Sequence, residues 1–161
     1  MPACGVSDSL LAATAMKLKQ PRAGALRCSV VLPVYNAAAT IVRCLDGLAQ
    51  QSAGADTYEV LVVDAGSCDG TCAIVDAWQQ ERPSITVRIL HLAASPGGST
   101  TLAAARNLGV EQARAPLVLF TEADCVPNTE WVAALLRALA GPRVMGARGA
   151  FRTEQGGIVP R

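Results

Sequence analysis

Two acidic residues lie close together directly after a short apolar segment. Glu122 and Asp124 follow the run PLVLF at 116–120, within the sequence TEADC. Carboxylate oxygens are hard ligands that suit Mg²⁺ or Mn²⁺. A carboxylate about 4 Å from a phosphate charge would repel it by roughly 4 kcal/mol at an effective dielectric near 20, so the pair can face a diphosphate only across a cation. The pattern favours a divalent cation site shared with substrate phosphates, and the alternative is a solvated turn in which Asp124 caps a helix.

Asp64 and Arg106 are further candidates for ligand binding. Asp64 lies in the segment EVLVVDAGS at 59–67, at the end of its apolar run, where a carboxylate can accept hydrogen bonds from ribose hydroxyls or a base N–H group. Its alternative role is to cap the turn at 67–70. Arg106 lies among alanines in AAARN, so its guanidinium is suited to grip a phosphate or a carboxylate, or to form a surface salt bridge.

Several common catalytic patterns are missing from the sequence. The loop SPGGS at 95–99 lacks the Gly-Lys-Ser/Thr end of a P-loop, and no G-x-G-x-x-G follows a predicted strand. Cys68 and Cys72 have C-x-x-x-C spacing, and His91 is the only histidine. The usual spacings of structural zinc sites and thioredoxin-like motifs are therefore absent, and nothing near His91 in the sequence supports a catalytic pair with Cys or Ser. We expect free thiols in a reducing compartment.

The elements that must position these residues alternate between two kinds of segment. Short apolar runs rich in β-branched residues predict strands, and longer segments with helical periodicity predict helices. The predicted strands cover 28–33, 59–67, 85–92 and 116–120, with 85–92 half-exposed at an edge, and 144–151 is a candidate fifth strand. Four helices are predicted, one of them at 100–112. The apolar faces of the other three are Ile41, Cys44, Leu45 and Leu48; Ile74, Ala77 and Trp78; and, after an N-cap at Asn128, Val132, Leu135, Leu136 and Leu139.

This alternation predicts an α/β fold with an open, mostly parallel sheet and helices on both faces. Ligands of such sheets bind beyond the carboxyl ends of the strands. Three places therefore qualify as parts of a binding site: residues 34–36, 64–67 and 121–125.

Length, composition and charge restrict the number of domains and the kinds of partner that we expect. The chain has 161 residues, of which 51% are hydrophobic and 17% charged, so one domain can bury a core without disulfides or metals. Its net charge of +1 gives no indication of a nucleic-acid partner or of an anionic membrane surface. The apolar stretch at 10–16 is too short to span a bilayer and has no basic leader, so we expect neither a signal peptide nor a transmembrane segment.

Four stretches of the sequence, taken in order, resemble the family 2 glycosyltransferases of the GT-A fold. They are CSVVLPVYN, EVLVVDAGSCDGT, AAARNLG and PLVLFTEADCVP, and the segment GAFRTEQ at 149–155 adds to the similarity. Each lies at a predicted strand end or in the adjoining helix, and together they cover roughly residues 27–157. We expect residues 1–26 to form an N-terminal arm or appended helix, and 27–161 to form a GT-A nucleotide-diphospho-sugar-binding domain that is incomplete at its C-terminus.

The resemblance implies transfer of a sugar from a nucleotide-diphosphate donor, UDP- or GDP-linked, to an acceptor with inversion at the anomeric carbon, using Mg²⁺ or Mn²⁺. We expect a cytoplasmic enzyme or, as the alternative, one at the inner face of the membrane. The acceptor is expected to be a glycan, a lipid or a small molecule. The residues carried over by the motifs are Pro33, Tyr35 and Asn36 for the nucleoside pocket, Asp64 for the base or ribose, Arg106 for the base or diphosphate, and Glu122 and Asp124 for the metal, with Asp124 favoured as the direct ligand.

The sequence departs from the family pattern at two positions and in its length. Ala65 stands where many relatives carry a second acid, and Glu122 replaces an aspartate. Relatives commonly place the catalytic base in a second half beyond the length of this chain, so we expect this chain to supply the donor and metal site only. The alternative is a non-catalytic, truncated or decayed GT-A module that acts as a scaffold or partner-binding domain. A nucleotidyltransferase is disfavoured because residues 34–40 contain no basic glycine-rich loop.

Overall fold

The computed structural model describes residues 25–93 and 101–150, together with the backbone of two short strands at 151–152 and 158–159. The predicted N-terminal arm therefore lies outside the described residues except for 25 and 26, as do the loop at 95–99 and residues 153–155 of the segment at 149–155. The elements are β1 (Cys28–Val34), α1 (Ile41–Ala49), β2 (Tyr58–Asp64), α2 (Thr71–Glu81), β3 (Thr86–His91), α3 (Leu102–Gln112), β4 (Leu117–Phe120), α4 (Trp131–Ala138), β5 (Phe151–Arg152) and β6 (Ile158–Val159).

Four strands form an open parallel sheet in the order β3-β2-β1-β4, which confirms the predicted fold class. The register pairs Val34 with Asp64 and Asp64 with His91 at the carboxyl ends of β1, β2 and β3. β4 pairs with the first four residues of β1, so its carboxyl end at Phe120 lies opposite Val31, three residues before the end of β1. Because all four strands are parallel, their carboxyl ends point towards the same edge, where an open α/β sheet binds its ligands.

Helices cover both faces of the sheet, because alternate residues of the buried strands point to opposite sides. Val30, Leu32, Val60 and Val62 pack in one core cluster with apolar residues of α1, α2 and α4. Val31, Leu61 and Val63 point the other way and pack against Ala105 of α3.

Gly109 permits the close approach of α3 to the sheet. A Cβ atom at this position would lie 2.4 Å from Cγ1 of Val31, closer than non-bonded carbon atoms approach. The position of α3 matters for function, because this helix carries Arg106 to the carboxyl edge of the sheet.

A buried charge lies near the opposite end of β2. The Glu59 carboxylate accepts hydrogen bonds from the Ser29 hydroxyl, the Arg88 guanidinium and the Arg114 N–H group. Burial opposes its ionisation, but these bonds outweigh that effect and lower the pKa of Glu59. The network joins three strands to the end of α3.

Three local predictions differ from the structure. Glu130, not Asn128, is the N-cap of α4, and the Asn128 side chain instead accepts a hydrogen bond from the Glu130 N–H group. Ala77 of α2 is exposed, because packing turns the face with Val75 and Trp78 towards the core. Residues 144–150 are exposed and have no strand partner, so the fifth strand contains only residues 151–152, which pair with β6.

Candidate functional site

Two loops at the carboxyl ends of β1 and β2, residues 35–38 and 65–71, are hydrogen-bonded to each other and are here called the paired loops. The Asn36 N–H group donates to Ser67 Oγ at 2.9 Å, and the Cys68 N–H group donates to Asn36 Oδ1 at 2.9 Å. Asn36 has a φ of 50°, in the left-handed region that asparagine tolerates better than most residues. This conformation lets one asparagine bind the neighbouring loop through both its backbone and its side chain.

Asp69 and Thr71 complete the connection between the paired loops. Asp69 Oδ2 accepts from the Ala38 N–H group, and Thr71 Oγ1 accepts from the Ala37 N–H group, each at 2.9 Å. The bond from the Thr71 hydroxyl, followed by that from Ala38, lowers the pKa of Asp69. Sequence reasoning missed both residues, although Asp-Gly-Thr before a helix is a recognisable turn and cap signal.

Tyr35 and Pro33 have very different exposures. Tyr35 is 57% exposed at the start of the first paired loop, which leaves its ring available to a ligand. Pro33 is buried within β1 and pairs with Val63, so it supports the loop from below rather than forming its surface.

Asp64 is a buried carboxylate at the end of β2, with only 7% of its side chain exposed. Its Oδ1 atom accepts from the Ser67 N–H group at 3.0 Å, and Oδ2 lies 3.5 Å from His91 Nδ1. Burial opposes the charge, but hydrogen bonds from Ser67, His91 and Gly66 outweigh it and lower the pKa of Asp64. The turn-capping role that the sequence offered as an alternative is therefore present in the structure.

His91 has two chemically relevant neighbours in space that are remote in sequence. One ligand atom each from Asp64, Cys72 and His91 all lie within 4.8 Å of one another. Sequence reasoning found nothing near His91 because the parallel pairing of β2 with β3 is what places it beside Asp64.

Arg106 and Glu122 form an ion pair, with Nη2 2.5 Å from Oε1. Their side chains are 37% and 45% exposed, respectively. The guanidinium therefore grips a carboxylate, one of the roles that the sequence allowed for it, and the carboxylate is one of the two predicted metal ligands.

The turn at residues 121–125, here called the acidic loop, leaves Asp124 exposed. The Glu122 carbonyl oxygen accepts from the Cys125 N–H group at 3.0 Å and from the Cys44 thiol at 3.5 Å. Asp124 Oδ1 lies 3.6 Å from Cys125 Sγ. Asp124 caps no helix, because α4 begins at Trp131, so its carboxylate is available to a ligand from solvent.

A family model identifies the relatives of this chain. Glycosyl transferase family 2 matches residues 29–161. The chain belongs to this family. The glycosyltransferase AglE of Haloferax volcanii is 34% identical over 131 residues, which are 80% of this chain and 41% of that protein.

Two solved glycosyltransferase structures are similar to this chain in both sequence and fold. The mannosyltransferase PcManGT of Pyrobaculum calidifontis, in complex with GDP-Man and Mn²⁺, is 31% identical and has a TM-score of 0.66 over 74% of this chain and 34% of its own. Residues 1–349 of Staphylococcus aureus TarS, in complex with UDP-GlcNAc, are 30% identical with a TM-score of 0.60 over 71% of this chain and 31% of that one. The chain thus spans 41% or less of these relatives.

The two acids of the acidic loop, Glu122 and Asp124, are not equally available to a divalent metal. Asp124 offers exposed carboxylate oxygens, which are the hard donors that Mg²⁺ and Mn²⁺ prefer. Glu122 has its Oε1 atom engaged by Arg106. Asp124 therefore fits the role of a metal ligand as it stands, whereas Glu122 must first loosen its ion pair.

None of the helices in the described residues is long and apolar enough to cross a membrane. Cys28, Cys44, Cys68, Cys72 and Cys125 are free thiols in this part of the chain.

Proposed function

We propose that this chain is the donor-binding part of an inverting glycosyltransferase and binds a UDP- or GDP-linked sugar together with Mg²⁺ or Mn²⁺. The observation that carries the proposal is the common edge on which the paired loops and the acidic loop lie, with β1 between β2 and β4. This places groups suited to a nucleoside on one side of the end of β1 and groups suited to a diphosphate and a cation on the other. Two structural neighbours are complexes with GDP-Man and with UDP-GlcNAc, which supports the same substrate class.

The nucleoside would bind at the paired loops. Tyr35 offers an exposed ring to the base, and Asn36 fixes the loop that carries it. Asp64 Oδ2 is the acceptor for a base N–H group or a ribose hydroxyl, because Oδ1 is already engaged by Ser67. Pro33 contributes by holding the base of the loop.

The diphosphate and the metal would bind at the acidic loop. Asp124 would hold the cation, and Glu122 would join it when Arg106 turns its guanidinium towards a donor phosphate. The bound metal would neutralise the charge of the departing nucleoside diphosphate. The protein's contribution is placement and electrostatic stabilisation, and none of the described residues is assigned as the general base that deprotonates the acceptor.

A non-catalytic scaffold is the second candidate, and one observation favours it. Asp64 is hydrogen-bonded within the paired loops, and Glu122 is paired with Arg106. These acids therefore have structural partners that account for them without a ligand. The scaffold hypothesis expects a folded chain without nucleotide affinity.

Calorimetric titration of the full chain with UDP and with GDP, in Mn²⁺ and in EDTA, separates the two candidates. We expect binding that needs the metal and weakens at least tenfold in Asp124→Ala. Asp56→Ala is the matched control, because Asp56 is an exposed acid before the amino end of β2. Absence of binding by a chain with a cooperative unfolding transition would contradict the proposal and favour the scaffold.

A further inference from the structure

Asp64, Cys72 and His91 come from three different elements and converge on one point. Asp64 ends β2, His91 ends β3, and Cys72 lies in the first turn of α2. Their ligand atoms, one oxygen, one sulfur and one nitrogen, all lie within 4.8 Å of one another. The sheet register and the paired loops fix the three backbones, so the grouping follows from the fold.

The side chains are oriented towards a common centre. The Ser67 N–H group holds Asp64 Oδ1, which leaves Oδ2 facing the imidazole of His91. The Cys72 sulfur lies within 4.8 Å of an oxygen of the same Asp64 carboxylate. The imidazole and the thiol therefore both lie beside one carboxylate, which the Ser67 N–H group already holds in place, as outer-shell partners do in metal sites.

The separation of the nitrogen and oxygen atoms matches the spacing found around zinc. Nδ1 of His91 and Oδ2 of Asp64 are 3.5 Å apart. Two ligands about 2.1 Å from a tetrahedrally coordinated zinc ion lie roughly 3.4 Å from each other. An ion can therefore enter between these two atoms with little displacement of either.

We propose that Asp64, Cys72 and His91 form a binding site for Zn²⁺, with a fourth position open to water. The mixture of thiolate, imidazole and carboxylate suits Zn²⁺ rather than Mg²⁺ or Mn²⁺, which prefer oxygen ligands throughout. The site is thus chemically distinct from the acidic loop, where Asp124 offers only oxygen.

Zinc binding reverses the local electrostatics of the thiol. Burial and the Asp64 carboxylate raise the pKa of Cys72 to about 11, so the thiol is protonated in the metal-free protein at neutral pH. A cation at the same carboxylate stabilises the thiolate instead. Formation of the Zn–S bond breaks the S–H bond, and the proton passes to the buffer.

Zinc binding at this site also affects donor binding, and this part of the inference rests on the proposed function. Asp64 Oδ2 is the acceptor assigned to the base or ribose of the nucleotide. An ion bound to that oxygen competes with the nucleotide, so Zn²⁺ acts as an inhibitor of donor binding rather than as the catalytic metal.

Titration of the full chain with Co²⁺, followed by displacement with Zn²⁺, tests the site directly. Thiolate coordination gives an intense near-ultraviolet charge-transfer band that Mg²⁺ and Mn²⁺ cannot mimic. We expect one equivalent of Co²⁺ to produce this band, Zn²⁺ to abolish it, and Cys72→Ser to prevent it. His91→Gln weakens Co²⁺ binding roughly tenfold or more.

Cys68→Ser is the matched control, because Cys68 is an exposed thiol four residues before Cys72, in the loop that precedes α2. It keeps the band if the proposal is correct. The proposal is overturned if the folded chain gives no band, or if the band persists in Cys72→Ser. Circular dichroism of each variant establishes that it is folded.

A second titration, with UDP or GDP in Mg²⁺, separates this inference from the proposed function. Zn²⁺ weakening nucleotide binding in the original chain but not in Cys72→Ser supports both. A cobalt band in a chain that binds no nucleotide supports the zinc site and contradicts the proposed function. Unchanged nucleotide affinity in a zinc-loaded chain overturns the competitive role.

Discussion

The paired loops and the acidic loop lie at the same edge of the sheet but are held in different ways. In the paired loops, backbone N–H groups of Asn36, Ala37, Ala38 and Cys68 donate to side chains of the opposite loop. In the acidic loop, the Glu122 side chain is held by an ion pair with Arg106 that is partly open to solvent. The first region is organised before any ligand arrives, and the second can rearrange around one.

This difference suits the two halves of the proposed donor. A nucleoside is a rigid group whose recognition gains from fixed hydrogen-bond partners, because less ordering is needed on binding. A diphosphate with its cation brings a large charge that can draw Arg106 and Glu122 apart. In the absence of donor, Arg106 and Glu122 are each other's partner, and the diphosphate and the cation replace that partner when the donor binds.

The largest effect on stability is expected from Asp64→Ala, in the paired loops. The hydrogen bonds to this buried carboxylate outweigh its burial, and the substitution leaves the Ser67 N–H group without its acceptor. We expect the free energy of unfolding to fall by about 1–3 kcal/mol. Urea unfolding in EDTA measures it, with Asp56→Ala as a control expected to change by less than about 0.5 kcal/mol.

The free energy of unfolding, measured as a function of acid pH, should depend on the Asp64 carboxylate. The pKa of Asp64 is lowered from its ordinary value of 3.8 in the folded chain, so its contribution is complete above that value. It is lost as the pH falls through the lower, folded pKa, because the unfolded chain takes up the proton first. Asp64→Asn should give a shallower loss of stability in this acid range, and an unchanged slope would contradict the assignment.

The smallest effect is expected from Glu122→Ala, in the acidic loop. Exposed ion pairs contribute little, so stability should change by less than about 1 kcal/mol. The substitution should instead alter how nucleotide binding depends on Mn²⁺. A loss of stability equal to that of Asp64→Ala would remove the contrast between the two regions.

Sequence reasoning was most successful where periodicity and burial are strong. The apolar runs of β1 and β2 predicted the two central strands, and Ile41, Cys44, Leu45 and Leu48 of α1 are all buried as expected. It was least successful at the end of the chain, where residues 144–150 have β-branched and apolar members but no strand beside them. A strand needs a partner, and the partner cannot be inferred from the segment alone.

The candidate residues of the site divide in the same manner. Asp64, Glu122 and Asp124 could be selected from the sequence because they directly follow apolar runs. Asp69 and Thr71 were missed, since their importance comes from backbone donors of a loop more than 30 residues away. His91 was set aside because its neighbours Asp64 and Cys72 are brought beside it only by the pairing of β2 with β3 and the packing of α2.

The sequence by itself determined the alternation of strands and helices, the edge of the sheet where ligands bind, and the family, because these depend on local patterns and on motifs in order. Only the tertiary structure decided which side chains meet. Arg106 pairs with Glu122 because α3 packs against β1 through Gly109, and His91 meets Asp64 and Cys72 because β3 pairs with β2. Such contacts join residues that are distant along the chain, and packing and register, rather than local preference, set their geometry.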